Sequence, residues 1–409
     1  MINIYQILLE RISGKKDPIS DWFADKLLNV NLHFYNSVDL RHFGHKIAPV
    51  DVNCFPAGFN HLSSKSKKNA NLKAKNYLNN NFPGIKRILI IAESHTKNLK
   101  YLENVLSLKN IILDAGYEVE IANLNSEITD ILEIDLENNK KITINKIIRK
   151  HDRILTSKGF EPDLIISNND FTDGIAKILQ NIEQKIIPDP FFGWFQRLKS
   201  EHFRCYNELV TEFSNLIEID PWLISAKFDM AQNLDFKQQV GIDNLAIKTG
   251  NLLKDLQEKY KQYEIKSNPY CFIKADNGTY GMAIMNVSSA DELVSLNKKN
   301  RNKMNMLKNN VQNHQVIIQE GVPTIDKIRG FNAEPMIYMV GGEVVGNLFR
   351  YNEARDEKSN LNSGTMQFSD LNILNSDDTD LGGKKEDLTK IYEVISKISA
   401  IASGMERYF

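Results

Sequence analysis

One stretch, Cys271–Ile284, constrains the fold more than any other part of the chain. It reads CFIKADNGTYGMAI, in which three apolar residues precede Lys274, a turn with two glycines follows, and an apolar run returns. This pattern predicts a β-hairpin with one inward lysine and a loop whose glycines allow positive φ and close approach of backbone N–H groups. A lysine beside such a loop is suited to hold a polyphosphate. The stretch lacks the Gly-Lys-Ser/Thr of a Walker motif, and an ordinary surface hairpin would explain the turn equally well.

Later segments predict further strands in a fixed order. Val316–Val322 (VIIQEGV) predicts a buried strand, and Glu334–Arg350 (EPMIYMVGGEVVGNLFR) predicts two strands joined at a Gly-Gly turn. The second of these strands ends in Arg350, and the asparagine-rich loop Ser359–Gly364 (SNLNSG) follows. This order of lysine, glycine loop, glutamate, arginine and asparagine-rich loop resembles the ATP-grasp ligases, and glutathione synthetase in particular. The resemblance implies two antiparallel α+β lobes that clamp ATP between them.

Two predicted strands near the N-terminus carry oxygen ligands. Residues 37–62 read SVDLRHFGHKIAPVDVNCFPAGFNHL and alternate like two strands joined at His42–His45. Asp51 and Asn53 are two residues apart and so point to one face of a strand, and Asp39 can lie beside them across the hairpin. Such oxygen ligands suit Mg²⁺, which takes few protein ligands and completes its shell with water and phosphate oxygens. The alternative is that Asp51 and Asn53 only cap a turn.

The position of this motif in the chain is unusual for an ATP-grasp enzyme. In the linear enzymes an acidic residue and an acid-x-Asn strand follow the arginine, whereas no such motif follows Arg350. We therefore expect a circular permutation that places the metal-binding strands first. The predicted fold class is α/β and α+β, an ATP-grasp-like ligase fold with a small parallel α/β domain. The expected division is a segment 1–84 with the metal-binding strands, a small parallel α/β substrate domain at 85–220, and grasp lobes with a C-terminal helix at 221–409.

The middle of the chain predicts the parallel sheet. Alternation of strand, helix and strand over residues 87–122, and a further strand at Asp163–Ser167, indicate a small parallel α/β domain. Polar clusters follow two of these strands, at Glu93–Thr96 (ESHT) and at Asn168–Asp170 (NND). Ligands gather beyond the carboxyl ends of parallel strands, so these clusters are candidates for substrate binding. Ordinary loop capping is the alternative.

Basic side chains are grouped near Trp194, in the segment GWFQRLKSEHF. A helix that starts near Phe195 would bring Lys199 and His202 to neighbouring positions. Together with Arg197, this cluster is a candidate for binding a carboxylate substrate. A solvated helix with Trp194 in the core would explain the same pattern.

Over most of its length the chain is similar to the proteobacterial-type glutamate–cysteine ligases. The similarity lies in the blocks VDLRHFGHKIAPVDVNCFPAGFNHL, ESHTKN, SNNDF, GWFQRLKSEHF, IKADNGTYGM, QEGVPT, AEPMIYMV and NLNSGTMQF. There are two departures: His61 stands where an asparagine is expected, and Glu93-Ser94 replaces a Pro-Glu-Asn lead. The resemblance implies a ligase that uses ATP to join the γ-carboxylate of L-glutamate to the amine of L-cysteine through an acyl phosphate. That reaction is the first step of glutathione synthesis.

The resemblance also implies roles for particular residues. Lys274 would hold the α- and β-phosphates of ATP, Glu334 the ribose, and Arg350 the γ-phosphate. Mg²⁺ would be bound by Asp39, Asp51 and Asn53, and the catalytic set would be Lys274, Arg350, Asn360 and Asn362. The other ATP-binding residues would be Asn277, Gly278, Thr279, Tyr280 and Gly281 in the loop, and Gln319, Glu320, Gly321 and Val322 near the adenine. The candidates for substrate binding are Arg41, Asn60, His95, Thr96, Asn168, Asn169, Asp170 and Arg197.

Composition argues against other classes of function. A formal net charge of −1 over 409 residues gives no field that would attract a polyanion, so we expect no nucleic-acid partner. Three scattered cysteines are too few for a disulfide framework or a zinc site, and no apolar run approaches the roughly 20 residues of a membrane span. We expect a cytoplasmic enzyme of small molecules, and whether it forms a homo-oligomer stays open. The rival functions are another carboxylate–amine ligase with different amino acids, and an ATP-binding regulatory protein without catalysis.

Overall fold

The three-dimensional structure is a computed structural model that describes residues 4–94, 97–125, 127–277, 283–306 and 312–407. Its helices are α1 (Ile4–Gly14), α2 (Lys16–Leu27), α3 (Ser64–Asn81), α4 (Leu99–Asp114), α5 (Lys199–Ile217), α6 (Ile242–Gln262), α7 (Asp291–Val294), α8 (Lys298–Asn305) and α9 (Lys385–Met405). Its strands are β1 (Tyr35–His42), β2 (Ile47–Asn53), β3 (Arg87–Ala92), β4 (Glu118–Asn123), β5 (Ile131–Asp135), β6 (Lys141–Lys150), β7 (Arg153–Thr156), β8 (Leu164–Asn168), β9 (Lys185–Ile187), β10 (Phe228–Ala231), β11 (Cys271–Ala275), β12 (Ile284–Val287), β13 (Val316–Glu320), β14 (Lys327–Ile328), β15 (Phe331–Val340), β16 (Glu343–Tyr351), β17 (Gln367–Asp370) and β18 (Thr379–Asp380). None of the described helices is both long and apolar enough to cross a membrane.

The first sheet brings the two ends of the chain together. Its strands are antiparallel in the order β17-β16-β15-β1-β2, and β14 adds to β15 and carries β18. The predicted turn between β15 and β16 is confirmed: Gly341 and Gly342 have φ angles of +59° and +78°, which glycine adopts because it lacks a Cβ. The predicted N-terminal hairpin is also confirmed as β1–β2. The N-terminal and C-terminal hairpins therefore lie side by side in one sheet.

Side chains of this first sheet alternate between two packed faces. On one face Val38 and Ile337 join the core formed with α1, α5 and α9. On the other face Tyr35 and Tyr338 pack towards α3 and α4. By the same alternation the polar residues Asp39, Arg41, Glu334 and Arg350 belong to the second face, where they line a cavity.

The second sheet is mostly parallel. Its order is β5-β6-β4-β3-β8-β9, with β7 attached to β6, and β3 is parallel to both β4 and β8. Helix α4 connects β3 to β4, so the predicted alternation of strand, helix and strand is confirmed. The carboxyl ends of β3 and β8 are neighbours in this sheet because Ala92 pairs with Asn168. The polar clusters that follow these strands therefore lie at one edge.

The third sheet contains the lysine hairpin. Its strands are antiparallel in the order β10-β13-β11-β12, and β11 pairs with both β12 and β13. Helix α6 covers it through Leu245, Leu252 and Leu256. The register sets Lys274 on β11 opposite Ile317 on β13. This sheet faces the first sheet across the cavity that holds the predicted site.

The helix predicted to start near Phe195 starts later. Leu198 keeps an extended backbone (φ −111°, ψ 131°), so α5 begins at Lys199. Trp194 is buried, as the alternative interpretation of this segment predicted, but it also lines the cavity. The late start places Lys199 in the first turn of the helix, next to the cavity.

Candidate active site

A cavity of about 1160 Å³ lies where the three sheets meet. Its walls include side chains from β1 and β2, from β11, from β15 and β16, and from the loops after β3 and β8. The predicted site residues that line it are Asp39, Arg41, Asp51, Asn53, Asn60, Asn168, Asp170, Lys274, Val322, Glu334, Arg350, Asn360 and Asn362. Residues spread over most of the sequence are thus brought to one cavity.

Strand register places the charged residues of the first sheet beside one another. Asp39 on β1 pairs with Asp51 on β2, as predicted for the hairpin. Glu334 on β15 pairs with Arg350 on β16. Because β1 lies between β2 and β15, the two pairs form one polar wall of the cavity.

Arg350 is held between two carboxylates. Its Nε donates to Glu334 Oε1 at 2.7 Å and its Nη2 donates to Asp39 Oδ2 at 2.6 Å. The other oxygen of Glu334 forms an ion pair with Arg41. Arg41, Glu334, Arg350 and Asp39 therefore alternate in charge along the wall.

The two carboxylates respond differently to this setting. Burial raises the pKa of Asp39 above its usual value, and the nearby charges of Glu334 and Asp51 add to the rise although Arg350 opposes it. Burial alone would also raise the pKa of Glu334, but Arg350 and Arg41 outweigh burial and lower it. The wall around Asp39 would therefore be stabilised by additional positive charge.

Lys274 extends from the facing sheet towards this wall. Its Nζ donates to Gln319 Oε1 at 2.6 Å and to the carbonyl oxygen of Val50 at 3.2 Å. Burial lowers the pKa of Lys274 to about 8; Asp51 opposes this change, and the charges of Lys199 and Arg41 add to it. An anionic ligand in the cavity would stabilise the charged form of this lysine.

Lys199 also lines the cavity. The sequence indicated it only as a member of a basic cluster that could bind a carboxylate substrate. Its Nζ donates to Asp51 Oδ1 at 2.8 Å and lies 4.1 Å from the ring centre of Trp194. The carbonyl oxygen of Asp276 accepts from the backbone N–H of Lys199, and the Asp276 carboxylate accepts from the N–H of Ser200 at 2.7 Å. Asp276, directly before the glycine loop, therefore caps the helix that carries Lys199. The signal in the sequence was this aspartate next to the glycines.

Glu320 was predicted to lie near the adenine, but it is not among the residues that line the cavity. Its side chain is almost fully buried, and its oxygens accept from Lys46 Nζ at 2.8 Å, from Trp222 Nε1 at 3.0 Å and from the backbone N–H of Lys227 at 2.9 Å. The partner charge of Lys46 neutralises it there. Val322, two residues on, does line the cavity.

Arg197 and Asn169 also lie away from the cavity lining. Arg197 donates from Nε and Nη2 to both oxygens of Glu406, at 2.8 and 2.7 Å. Asn169 is buried, and its Oδ1 accepts from the backbone N–H of Phe171 at 2.8 Å. Neither side chain is placed to contact a substrate directly.

At the edge of the parallel sheet, Asn168 organises the cavity wall. It donates to the carbonyl oxygen of Pro56 at 3.0 Å and accepts from Asn104 at 3.0 Å, and Asn104 in turn accepts from the N–H groups of Gly58 and Phe59. This network ties the loop after β2 to the sheet. Both asparagines line the cavity, but these groups are engaged with protein.

The asparagine-rich loop contains two of the remaining predicted residues. Asn360 and Asn362 both line the cavity, and Asn360 Oδ1 accepts from the N–H of Asn362 at 2.9 Å. Arg41 donates to the carbonyl oxygen of Ser359 at 2.8 Å, which attaches this loop to β1. Gln319 contacts Lys274, and Gly321 follows the end of β13. Asn277 directly precedes the loop, whereas His95, Thr96, Gly278, Thr279, Tyr280 and Gly281 lie outside the described residues.

The predicted metal ligands fit a hard cation. Asp39, Asp51 and Asn53 supply only oxygen ligands from one pair of strands and line one cavity. No group of three or more His, Cys, Asp or Glu side chains among the described residues forms a complete metal site. The described residues therefore offer two carboxylates and one amide as oxygen ligands here.

The fold and cavity define a class of enzyme. Cations from two facing sheets and oxygen ligands between them are typical of enzymes that position a polyphosphate for transfer, and the cavity has room for a nucleotide with small substrates. Together with a match of residues 10–407 to a ligase family model, these features place the protein among the carbon–nitrogen ligases. The family model of glutamate-cysteine ligase (GshA) matches residues 10–407. The chain belongs to the glutamate-cysteine ligase family, which confirms the family predicted from the sequence.

Three solved structures are similar to this chain to different degrees, and the first of them agrees with the family assignment. A protein of Methylobacillus flagellatus KT, assigned as a gamma-glutamylcysteine synthetase, is 36% identical over 98% of this chain and 95% of its own, with a TM-score of 0.90. A glutathione synthetase like-effector from Globodera pallida is 9% identical over 85% and 76% of the two chains, with a TM-score of 0.37. D-alanyl-alanine synthetase A from Vibrio cholerae O1 is 10% identical over 76% and 79%, with a TM-score of 0.36. No curated protein sequence matches this chain.

Proposed function

We propose that this ligase uses ATP and Mg²⁺ to join the γ-carboxylate of L-glutamate to the amine of L-cysteine through a γ-glutamyl phosphate. The observation that carries the proposal is the polar wall of the first sheet. Asp39, Asp51 and Arg350 share this wall, and Lys274 reaches it from the opposite sheet. Oxygen ligands and two kinds of cation thus meet in one cavity.

We further propose that the fold is a circularly permuted ATP-grasp. The sheet order supports it, because the β1–β2 hairpin with the oxygen ligands lies directly beside β15, which carries Glu334 and pairs in turn with β16, which carries Arg350. In a linear arrangement those ligands would follow the arginine in the chain. Here Asp39 precedes Arg350 by 311 residues and still reaches the same wall.

The first chemical step is transfer of the γ-phosphoryl group. A γ-carboxylate oxygen of glutamate attacks the γ-phosphorus, the bond between that phosphorus and the bridging oxygen breaks, and ADP leaves. Such a transfer depends mainly on alignment and on neutralising charge. Lys274 and Lys199 hold the phosphates, and Arg350 faces the group in transfer. Glu334 holds Arg350 in place, a role that its two arginine contacts favour over binding of the ribose.

The second step forms the amide. The unprotonated amine of cysteine attacks the carbonyl carbon of the acyl phosphate, phosphate leaves with the bonding electrons of the C–O bond, and the amine loses a proton. Asn360 and Asn362 line the same cavity, and we assign their amides to contact with the acyl phosphate. Asp39, Asp51 and Asn53 would hold Mg²⁺, which when bound neutralises phosphate charge.

ADP release by the purified enzyme tests this proposal. The reaction is followed with ATP and Mg²⁺ and no further addition, with glutamate, and with glutamate plus cysteine. Release that requires both amino acids, with γ-glutamylcysteine as the product, is the expected result. Turnover with a different acid and amine would keep the ligase and replace its substrates. No release with any pair would favour the regulatory alternative.

A further inference from the structure

The last helix ends in a buried charge cluster that reaches the metal-binding strand. Glu406 directly follows α9, and its carboxylate accepts from Arg197 Nε and Nη2 at 2.8 and 2.7 Å. His202 on α5 contacts the same carboxylate through Nδ1 at 2.8 Å, and its Nε2 lies 3.1 Å from Ser399 Oγ. The side chains of Arg197, His202 and Glu406 are 1%, 1% and 0% exposed. We call these three residues the C-terminal cluster.

The C-terminal cluster contacts β2 through Arg197. Arg197 Nη1 donates to the carbonyl oxygen of Val52 at 2.8 Å. Val52 lies between Asp51 and Asn53, the two proposed metal ligands of that strand. That carbonyl belongs to the peptide that joins Val52 to Asn53. A shift of this peptide would turn the side chain of Asn53.

The same segment holds Asp51 a second time. Two residues after Arg197, Lys199 donates to Asp51 Oδ1 at 2.8 Å. Arg197 and Lys199 both lie against the ring of Trp194, at 4.9 and 4.1 Å from its centre. Fixing Arg197 to Glu406 therefore also fixes the short segment from which Lys199 reaches the cavity.

We propose that Glu406, through Arg197, is a positioning residue that orients Asp51 and Asn53 for metal binding. This inference rests on the proposed function, because it assumes that these two residues bind the metal. Partners of metal ligands set ligand orientation, and their loss commonly weakens metal binding about 10-fold to 100-fold. Glu406 is not among the residues that line the cavity, and it acts on the metal site through β2 and the segment that carries Arg197.

The test compares matched variants in the full chain. Glu406→Gln removes the charge that holds Arg197. Glu393→Gln is the control, because the side chain of Glu393 lies on the same helix, is 43% exposed, and pairs with Lys397 four residues later at 2.9 Å. Binding of Mn²⁺ in the presence of a non-hydrolysable ATP analogue is measured by the loss of the electron paramagnetic resonance signal of free Mn²⁺. The Mg²⁺ concentration for half-maximal ADP release is measured alongside.

A second variant separates positioning from folding. Removal of one partner of a buried ion pair leaves an uncompensated charge, whereas replacement of both partners by apolar residues is often tolerated. The double substitution Arg197→Met with Glu406→Leu is therefore expected to unfold near the wild-type temperature. It still lacks the donor to Val52, so its Mn²⁺ binding stays weak.

The expected result is Mn²⁺ binding weakened about 10-fold or more in Glu406→Gln and in the double variant, with Glu393→Gln equal to wild type. The KM for glutamate should change less than about 2-fold, because the cluster lies outside the cavity lining. Wild-type affinity in the folded double variant would overturn the inference. Failure of the proposed function would be seen separately. Wild type would then form no γ-glutamylcysteine, or Asp51→Asn would bind Mn²⁺ as wild type does. Either result would also overturn this inference.

Discussion

Replacement of Arg350 by lysine tests the charge arrangement of the cavity wall most sharply. The guanidinium spans two strands, because it contacts Glu334 at 2.7 Å and Asp39 at 2.6 Å. A lysine ammonium keeps the charge but is a point donor, so it cannot bridge both carboxylates and also face a phosphoryl group. We expect turnover to fall by about 10²-fold or more, the usual effect of losing one charge partner of a transition state.

The free energy of unfolding should separate Arg350→Lys from a second variant, Arg350→Ala. The Arg350 side chain is 7% exposed, and alanine would leave Asp39 and Glu334 in a buried place without their shared partner. Removal of one partner of a buried pair costs about 3–5 kcal/mol, which is a large part of a typical folding free energy of roughly 5–15 kcal/mol. Lysine should cost less, because it retains one of the contacts.

The assays are ADP release for turnover, titration with a non-hydrolysable ATP analogue for affinity, and urea unfolding for stability. Arg329→Lys is the matched control, because Arg329 is 52% exposed and contacts Asp378 at 3.3 Å on the surface. We expect that control to match wild type in all three. Arg350→Lys with turnover near wild type, or with a loss confined to ATP affinity, would refute the role given to Arg350.

Three further outcomes are expected. Because burial lowers the pKa of Lys274 to about 8, the free enzyme loses this charge as the pH rises through 8, so kcat/KM for ATP should fall above that pH. Lys274→Arg should move the fall to higher pH, and an identical pH profile in both enzymes would contradict this. Asp51→Ala should raise the Mg²⁺ concentration for half-maximal ADP release by about 10-fold or more, and unchanged magnesium dependence and turnover would argue against the metal site. Asn104→Leu leaves two backbone N–H groups without an acceptor and should lower the free energy of unfolding by about 2–4 kcal/mol, against about 0.5 kcal/mol or less for the exposed control Asn81→Ala. Equal urea midpoints for those two variants would contradict the asparagine network.

Local patterns in the sequence predicted much of the fold. The alternation around Asp39 and Asp51 predicted a hairpin, and the structure pairs these residues across β1 and β2. The glycines at 341 and 342 predicted the turn between β15 and β16. Such features depend on neighbours in the chain, so a single sequence contains enough information to predict them. The order of motifs also led to the expectation of a circular permutation with the metal-binding strands first. In the structure β1 and β2 share a sheet with the arginine strand β16, from which β15 separates them, and the permutation itself stays a prediction.

Long-range pairing explains what the sequence could not supply. Glu320 ends a strand as predicted, but its partner Lys46 is 274 residues away and draws the carboxylate into the core. The sequence predicted that Arg197 binds substrate, but its side chain pairs with Glu406, which lies 209 residues later in the chain. Lys199, in contrast, lies at the cavity although the sequence did not single it out. Its contact with Asp51 depends on the residue at which α5 begins. The position of each of these side chains depends on a charged partner that is distant in the sequence. A local sequence pattern does not indicate which partner that is.

The most direct test of the central claim follows oxygen from substrate to product. L-Glutamate labelled with ¹⁸O in its γ-carboxylate is incubated with the enzyme, ATP, Mg²⁺ and L-cysteine, and the released phosphate is analysed by mass spectrometry. Attack of the γ-carboxylate on the γ-phosphorus predicts one labelled oxygen in each phosphate, in step with γ-glutamylcysteine and ADP. Unlabelled phosphate accompanying the same product would contradict the acyl phosphate and the arrangement of Lys274 and Arg350 proposed to form it.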